Sequence, residues 1–64
     1  MTQEEFSRRF VAAEVMKSFE LRKLPFNRDP ADYAAHVVSS YWVKYLQHGG
    51  TPERFADEDA QFWE

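Results

Sequence analysis

The chain has 64 residues, no cysteine, eleven aromatic side chains and a formal charge of −3. This excludes a disulfide scaffold and a cysteine-held metal cluster, and it limits the interior, because so short a chain buries only about 60% of its unfolded surface. It also leaves more aromatic surface than such an interior absorbs, which predicts exposed rings or a partner pressed against them.

No apolar run is long enough to span a bilayer, and the first residues do not read as a signal peptide, so a cytoplasmic protein that stays off membranes is expected. Charge is unevenly spread. Residues 1–28 carry six basic and four acidic side chains, whereas residues 29–64 carry two basic and seven acidic ones. The two parts are electrostatically complementary, which favours antiparallel packing.

Thr2 with Glu5 three residues on is a capping-box signature, so a first helix is expected over about 3–23. It ends there because Leu24 precedes Pro25 and is biased out of the helical region. On a helical wheel Phe6, Phe10, Ala13, Leu21 and Leu24 gather on one side. Val11, Ala12, Val15 and Phe19 gather nearly opposite, with Met16 at an edge. A helix with two apolar stripes sits between two neighbours. The expected neighbours are the second helix and a copy of the same chain, giving a homodimer. Pro25–Arg28 reads as a tight connection in which Phe26 plugs the core.

The second helix is the best marked, over about 30–48. Asp29 is its N-cap, Pro30 fits the first position, Asp32 suits the positive end of the helix dipole, and Gly49 and Gly50 stop it. Ala31, Ala34, Ala35, Val37, Val38, Tyr41, Trp42, Tyr45 and Leu46 share one wide face. Thr51, Pro52 and Glu53 start a third helix over about 52–61. Phe55 and Phe62 lie seven apart on one face of it, with Trp63 near the edge. This segment is expected to fold back on the first helix, where basic residues meet Asp57, Glu58 and Asp59. The other reading is an acidic–aromatic tail that docks outward on another protein.

Chemical sites find little support. Asp32, His36 and Ser40 have the residue types of a triad, but they are spaced along one exposed helical face with no oxyanion donor. His36 and His48 have no carboxylate set to complete a metal site, so neither metal nor cofactor is expected. Gly49–Gly50 precedes a helix without the lysine of a phosphate loop. Arg8, Arg9, Lys17, Arg22 and Lys23 scatter around the first helix among glutamates, a weak basis for binding phosphates.

The sequence therefore predicts an all-α, single-domain protein of three helices. Two are long and antiparallel, the third is short and C-terminal, and the domain associates with itself. The core is expected from Phe6, Phe10, Ala13, Val38, Tyr41, Trp42, Tyr45 and Phe55. The expected function is not enzymatic: a protein-binding module of the kind found as an accessory subunit, adaptor, inhibitor, or phage or mobile-element protein. Its expected contacts are Val11, Val15, Phe19, Phe62 and Trp63. The alternative is a nucleic-acid-associated regulator using the basic residues of the first helix.

Overall fold

The computed structural model describes residues 1–64 and is all helical: α1 (Gln3–Leu21), a 3₁₀ turn (Pro25–Asn27), α2 (Pro30–His48) and α3 (Pro52–Ala60). Each α-helix begins as its sequence dictates. Thr2, Asp29 and Thr51 side chains accept from the amides of Glu5, Asp32 and Arg54, each at 3.1 Å. Each cap satisfies an amide that has no partner within its helix. Proline opens α2 and α3 where no amide hydrogen is needed. A helix of nineteen residues is about 28 Å long, and the molecule measures 30 × 18 × 16 Å, so the bundle is one long helix in height.

Phe6 packs on Trp42 and Tyr45 while Phe10 packs on Tyr41, so residue numbers on α1 and α2 run in opposite directions and the helices are antiparallel. α3 lies along α1, with Arg9 paired to Glu53 and Lys17 to Asp57. The core at this level is Phe6, Phe10, Ala34, Phe55 and Ala56, with Phe6 and Phe10 stacked at 6.2 Å. Ala13, Val38, Tyr41, Trp42 and Tyr45 pack against it only half-buried.

Several expectations need correcting. α1 stops at Leu21, two residues early, because Arg22 takes a left-handed conformation (φ 53°). The amide of Arg22 then donates to Phe19 and that of Lys23 to Ser18, the pairing of a Schellman closure. Leu21 and Leu24, placed in the inner stripe on the wheel, are exposed. The buried line instead runs Phe6, Phe10, Glu14, Ser18 in steps of four. On α2, Ala31, Ala35 and Leu46 are exposed and Tyr33 is buried.

α3 ends at Ala60, and the next three amides bond three residues back: Gln61 to Glu58, Phe62 to Asp59, Trp63 to Ala60. This tighter winding breaks the seven-residue register. It stacks Trp63 over Ala60, both buried, and turns Phe62 outward.

Candidate binding surface and the buried carboxyl cluster

The last turns of α1, the 3₁₀ turn and the residues after α3 meet at one end of the bundle. The Phe26 amide donates to the Glu64 carbonyl at 3.1 Å, joining the 3₁₀ turn to the end of the chain. Gln61 shares a depression with Lys17, Leu21, Asp57 and Ala60 on the α1/α3 seam. Phe62 lies between these two attachments and is 72% exposed. Phe19 is 82% exposed, Met16, Leu21 and Leu24 are also exposed, and Val15 continues the open stripe along α1. A second depression of about 370 Å³ is lined by Ser18, Phe19, Arg22, Lys23 and Leu24.

The backbone at this end is unusual. Arg22, Phe26 and Asn27 all have positive φ, at 53°, 53° and 60°. Asparagine tolerates that region, but a bulky residue such as phenylalanine does so only under strain. Phe26 does not plug the core as expected: it is 43% exposed, held in this conformation by its bond to Glu64 and by packing on Tyr33 at 5.6 Å. Strained backbone of this kind is found where function fixes a shape.

The five residues expected to meet a partner divide. Phe19 and Phe62 are wide open, and Val15 is exposed at the edge of the same stripe. Val11 packs half-buried against the core. Trp63, expected to be available to a partner, is 3% exposed, because its indole Nε1 donates inward to Asp59 at 3.2 Å. The tail therefore folds back, with Phe62 rather than Trp63 on the outside.

The basic residues divide too. Arg9 grips Glu53 with two donors, at 3.0 and 2.6 Å, and Lys17 reaches Asp57 at 2.7 Å. Glu53 is held below the ordinary carboxylate range by the Arg9 hydrogen bond. Neither Arg22 nor Lys23 enters any ion pair. On α2, the His36 ring bonds the Asp32 backbone carbonyl at 2.9 Å, so His36 is not arrayed toward Ser40. No group of three or more metal-ligating side chains converges.

Beneath the open end lies a cluster that the sequence alone does not announce. Asp59 accepts from Tyr33 Oη (3.2 Å), Tyr41 Oη (2.7 Å) and Trp63 Nε1 (3.2 Å). Glu14 beside it has no exposed surface, and neither of its oxygens meets an N–H or O–H donor. Two ionised carboxylates cannot share so dry a site. One proton on Glu14 converts the repulsion into an O–H···O⁻ bond to Asp59. Burial first, and then the bond and charge of Asp59, push the Glu14 carboxyl up to about 9. Burial and then Asp59 likewise push Tyr33 up to about 12, and Tyr41 is raised for the same reasons. One signal does exist in the sequence: Glu14 stands four residues after Phe10, on the line that Phe6 and Phe10 begin.

No protein-family model, curated protein or solved structure matches this chain.

Proposed function

We propose that this chain is a non-catalytic protein-binding module, and that it docks through the end where α1 finishes. The observation that carries this reading is Phe19, 82% exposed on a helix whose inner line takes up Glu14 and Ser18 instead. Leu24 lines the same depression, Met16 lies one turn back on α1, Phe62 adds a separate exposed ring after α3, and strained residues fix the connection that follows α1. Exposed aromatics in a rigid frame are what protein interfaces use as anchors. The reading fits an adaptor, inhibitor or accessory subunit acting in the cytoplasm. A second copy of the chain is a partner such a surface also admits. The nucleic-acid alternative is less favoured, because two of its five cations, Arg9 and Lys17, are spent on Glu53 and Asp57 and the chain as a whole carries −3.

The test is a pair of substitutions, Phe19→Ser and Phe62→Ser, in the intact chain. Each is expected to change stability by less than about 0.5 kcal/mol, as exposed sites do. Each is expected to abolish or sharply weaken capture of the partner identified by affinity purification and mass spectrometry from the native cell. Full retention of that partner by the doubly substituted chain would overturn the reading.

A further inference from the structure

The depression lined by Ser18, Phe19, Arg22, Lys23 and Leu24 has a chemistry of its own. Two side chains are apolar, two are cationic, and no carboxylate lines it. We propose that it is a recognition groove for an acidic peptide segment of a partner protein. Such a segment sets an apolar side chain against Phe19 and Leu24 and a carboxylate against Arg22 and Lys23. This inference rests on the reading of that end as a docking surface and adds the partner's chemistry to it.

Three observations converge on an acidic ligand. First, Arg9 and Lys17 on α1 are already paired with α3, while Arg22 and Lys23, just past the end of α1, enter no ion pair. A guanidinium presents a planar fork matched to a carboxylate, and an adjacent ammonium adds a point charge. Second, the chain as a whole carries −3. An acidic segment meets net repulsion from the chain as a whole and local attraction at this groove, so the charge pattern favours docking there. Third, the groove is already shaped. Ser18 Oγ donates to the Lys23 carbonyl at 2.7 Å and the Lys23 amide donates back to Ser18 at 3.1 Å, clamping the turn that carries both cations. The backbone of the turn therefore needs no ordering on binding, and only the Arg22 and Lys23 side chains have freedom to lose.

A broad anionic membrane fits the same place less well. Such a surface would also meet Glu20, exposed beside Phe19, and Asp57 in the neighbouring depression. A narrow peptide can avoid both.

The experiment is selection of a displayed random-peptide library on the intact chain, followed by affinity measurements at low and high salt. The expected result is enrichment of peptides that pair Asp or Glu with Leu, Phe or Trp, with affinity falling as salt rises. Reversing both charges, Arg22→Glu with Lys23→Glu, is expected to weaken these peptides about tenfold or more. Reversing Arg8 and Arg54, exposed cations elsewhere, should leave them within about twofold. Circular dichroism establishes that each variant is folded. If the double reversal does not fold, Arg22→Gln with Lys23→Gln and the salt dependence decide the same question.

Selected peptides that lack acidic residues yet lose binding with Phe19→Ser would overturn the acidic partner while leaving the docking surface standing. Selected peptides indifferent to Phe19→Ser, or none selected at all, would overturn both. Stronger retention on phosphatidylserine vesicles than on any selected peptide would overturn the proposal in favour of a lipid surface. A dimer in light scattering that the double reversal dissociates would overturn it in favour of a second copy.

Discussion

Glu14 and Phe19 stand five residues apart on α1, and the bundle treats them in opposite ways. Glu14 has no exposed surface, while Phe19 is 82% exposed. Burying a phenylalanine stabilises a fold by about 2 kcal/mol. Burying an ionised carboxyl is strongly unfavourable unless a proton or a partner relieves it. A helix shaped for stability alone would exchange the two. The structure thus separates two features: an interior polar network that fixes how α3 and Trp63 dock, and an exterior apolar surface that the fold itself leaves uncovered.

The interior constraint is broken most severely at Asp59. Asp59→Ala leaves Tyr33 Oη, Tyr41 Oη and Trp63 Nε1 without their shared acceptor. The expected loss is about 3–5 kcal/mol, since removing one member of a buried charged network strands the rest. That matches the loss of about 3–5 kcal/mol expected of Phe10→Ala in the apolar core. A domain this small holds only several kcal/mol in all, so both variants should melt near room temperature by circular dichroism. A loss under about 1 kcal/mol at Asp59 would mean that the two tyrosines and Trp63 find other partners, and the polar interior would no longer be a constraint.

Glu14 sharpens the same contrast through pH. Its carboxyl moves from an ordinary value of 4.5 up to about 9 in the fold. Between those values the native state holds a proton that the unfolded chain has released. Stability is therefore full below 4.5, falls as pH rises from there through about 9, and levels off above. Glu53 acts oppositely. Its lowered value gives stability that is present above 4.5 and lost in acid. The melting temperature should peak near the ordinary carboxyl value of 4.5 and decline on both sides. Glu14→Gln, which has no proton to lose and still donates to Asp59, should flatten the alkaline side. It should gain about 1–2 kcal/mol at pH 8. An unaltered decline in that variant would place the titration elsewhere.

How much of this is legible in the residues alone follows the physics of each feature. Caps, prolines and glycines act within a turn, so Thr2, Asp29–Pro30, Gly49 and Thr51–Pro52 fix the helices almost to the residue. Phe6, Phe10 and Phe55 are legible as core because a helical wheel needs no knowledge of neighbours. Glu14 is not, because its burial depends on Asp59, which comes from another helix and 45 residues away. Trp63 is misplaced by the wheel for a different reason. The wheel assumes 3.6 residues per turn, and the chain tightens after Ala60. The second stripe on α1 sets Phe19 apart from the inner line, and it is exposed, but Arg22 and Lys23 look only like scattered charge. Their grouping with Leu24 needs the left-handed turn at Arg22, which nothing in that residue announces.

That turn also supplies the smallest of the expected effects. Arg22 occupies a position that glycine fills most easily, closing α1 at φ 53°. Holding a non-glycine residue there costs about 1 kcal/mol, so Arg22→Gly should stabilise the fold by about 0.5–1 kcal/mol. In a domain of this size that is about 3–6 °C in melting temperature. If the exposed end is kept for a partner, the same substitution should weaken acidic-peptide binding, because the guanidinium goes with the strain. Opposite signs in stability and affinity are what a residue retained for function produces. A gain in stability with affinity unchanged would leave Lys23 as the only cation of the groove and remove Arg22 from it. A loss of stability would mean that the arginine stem packs over Phe19 or Leu24 more tightly than its exposure indicates, and the outer surface would then share the burden of holding the bundle together.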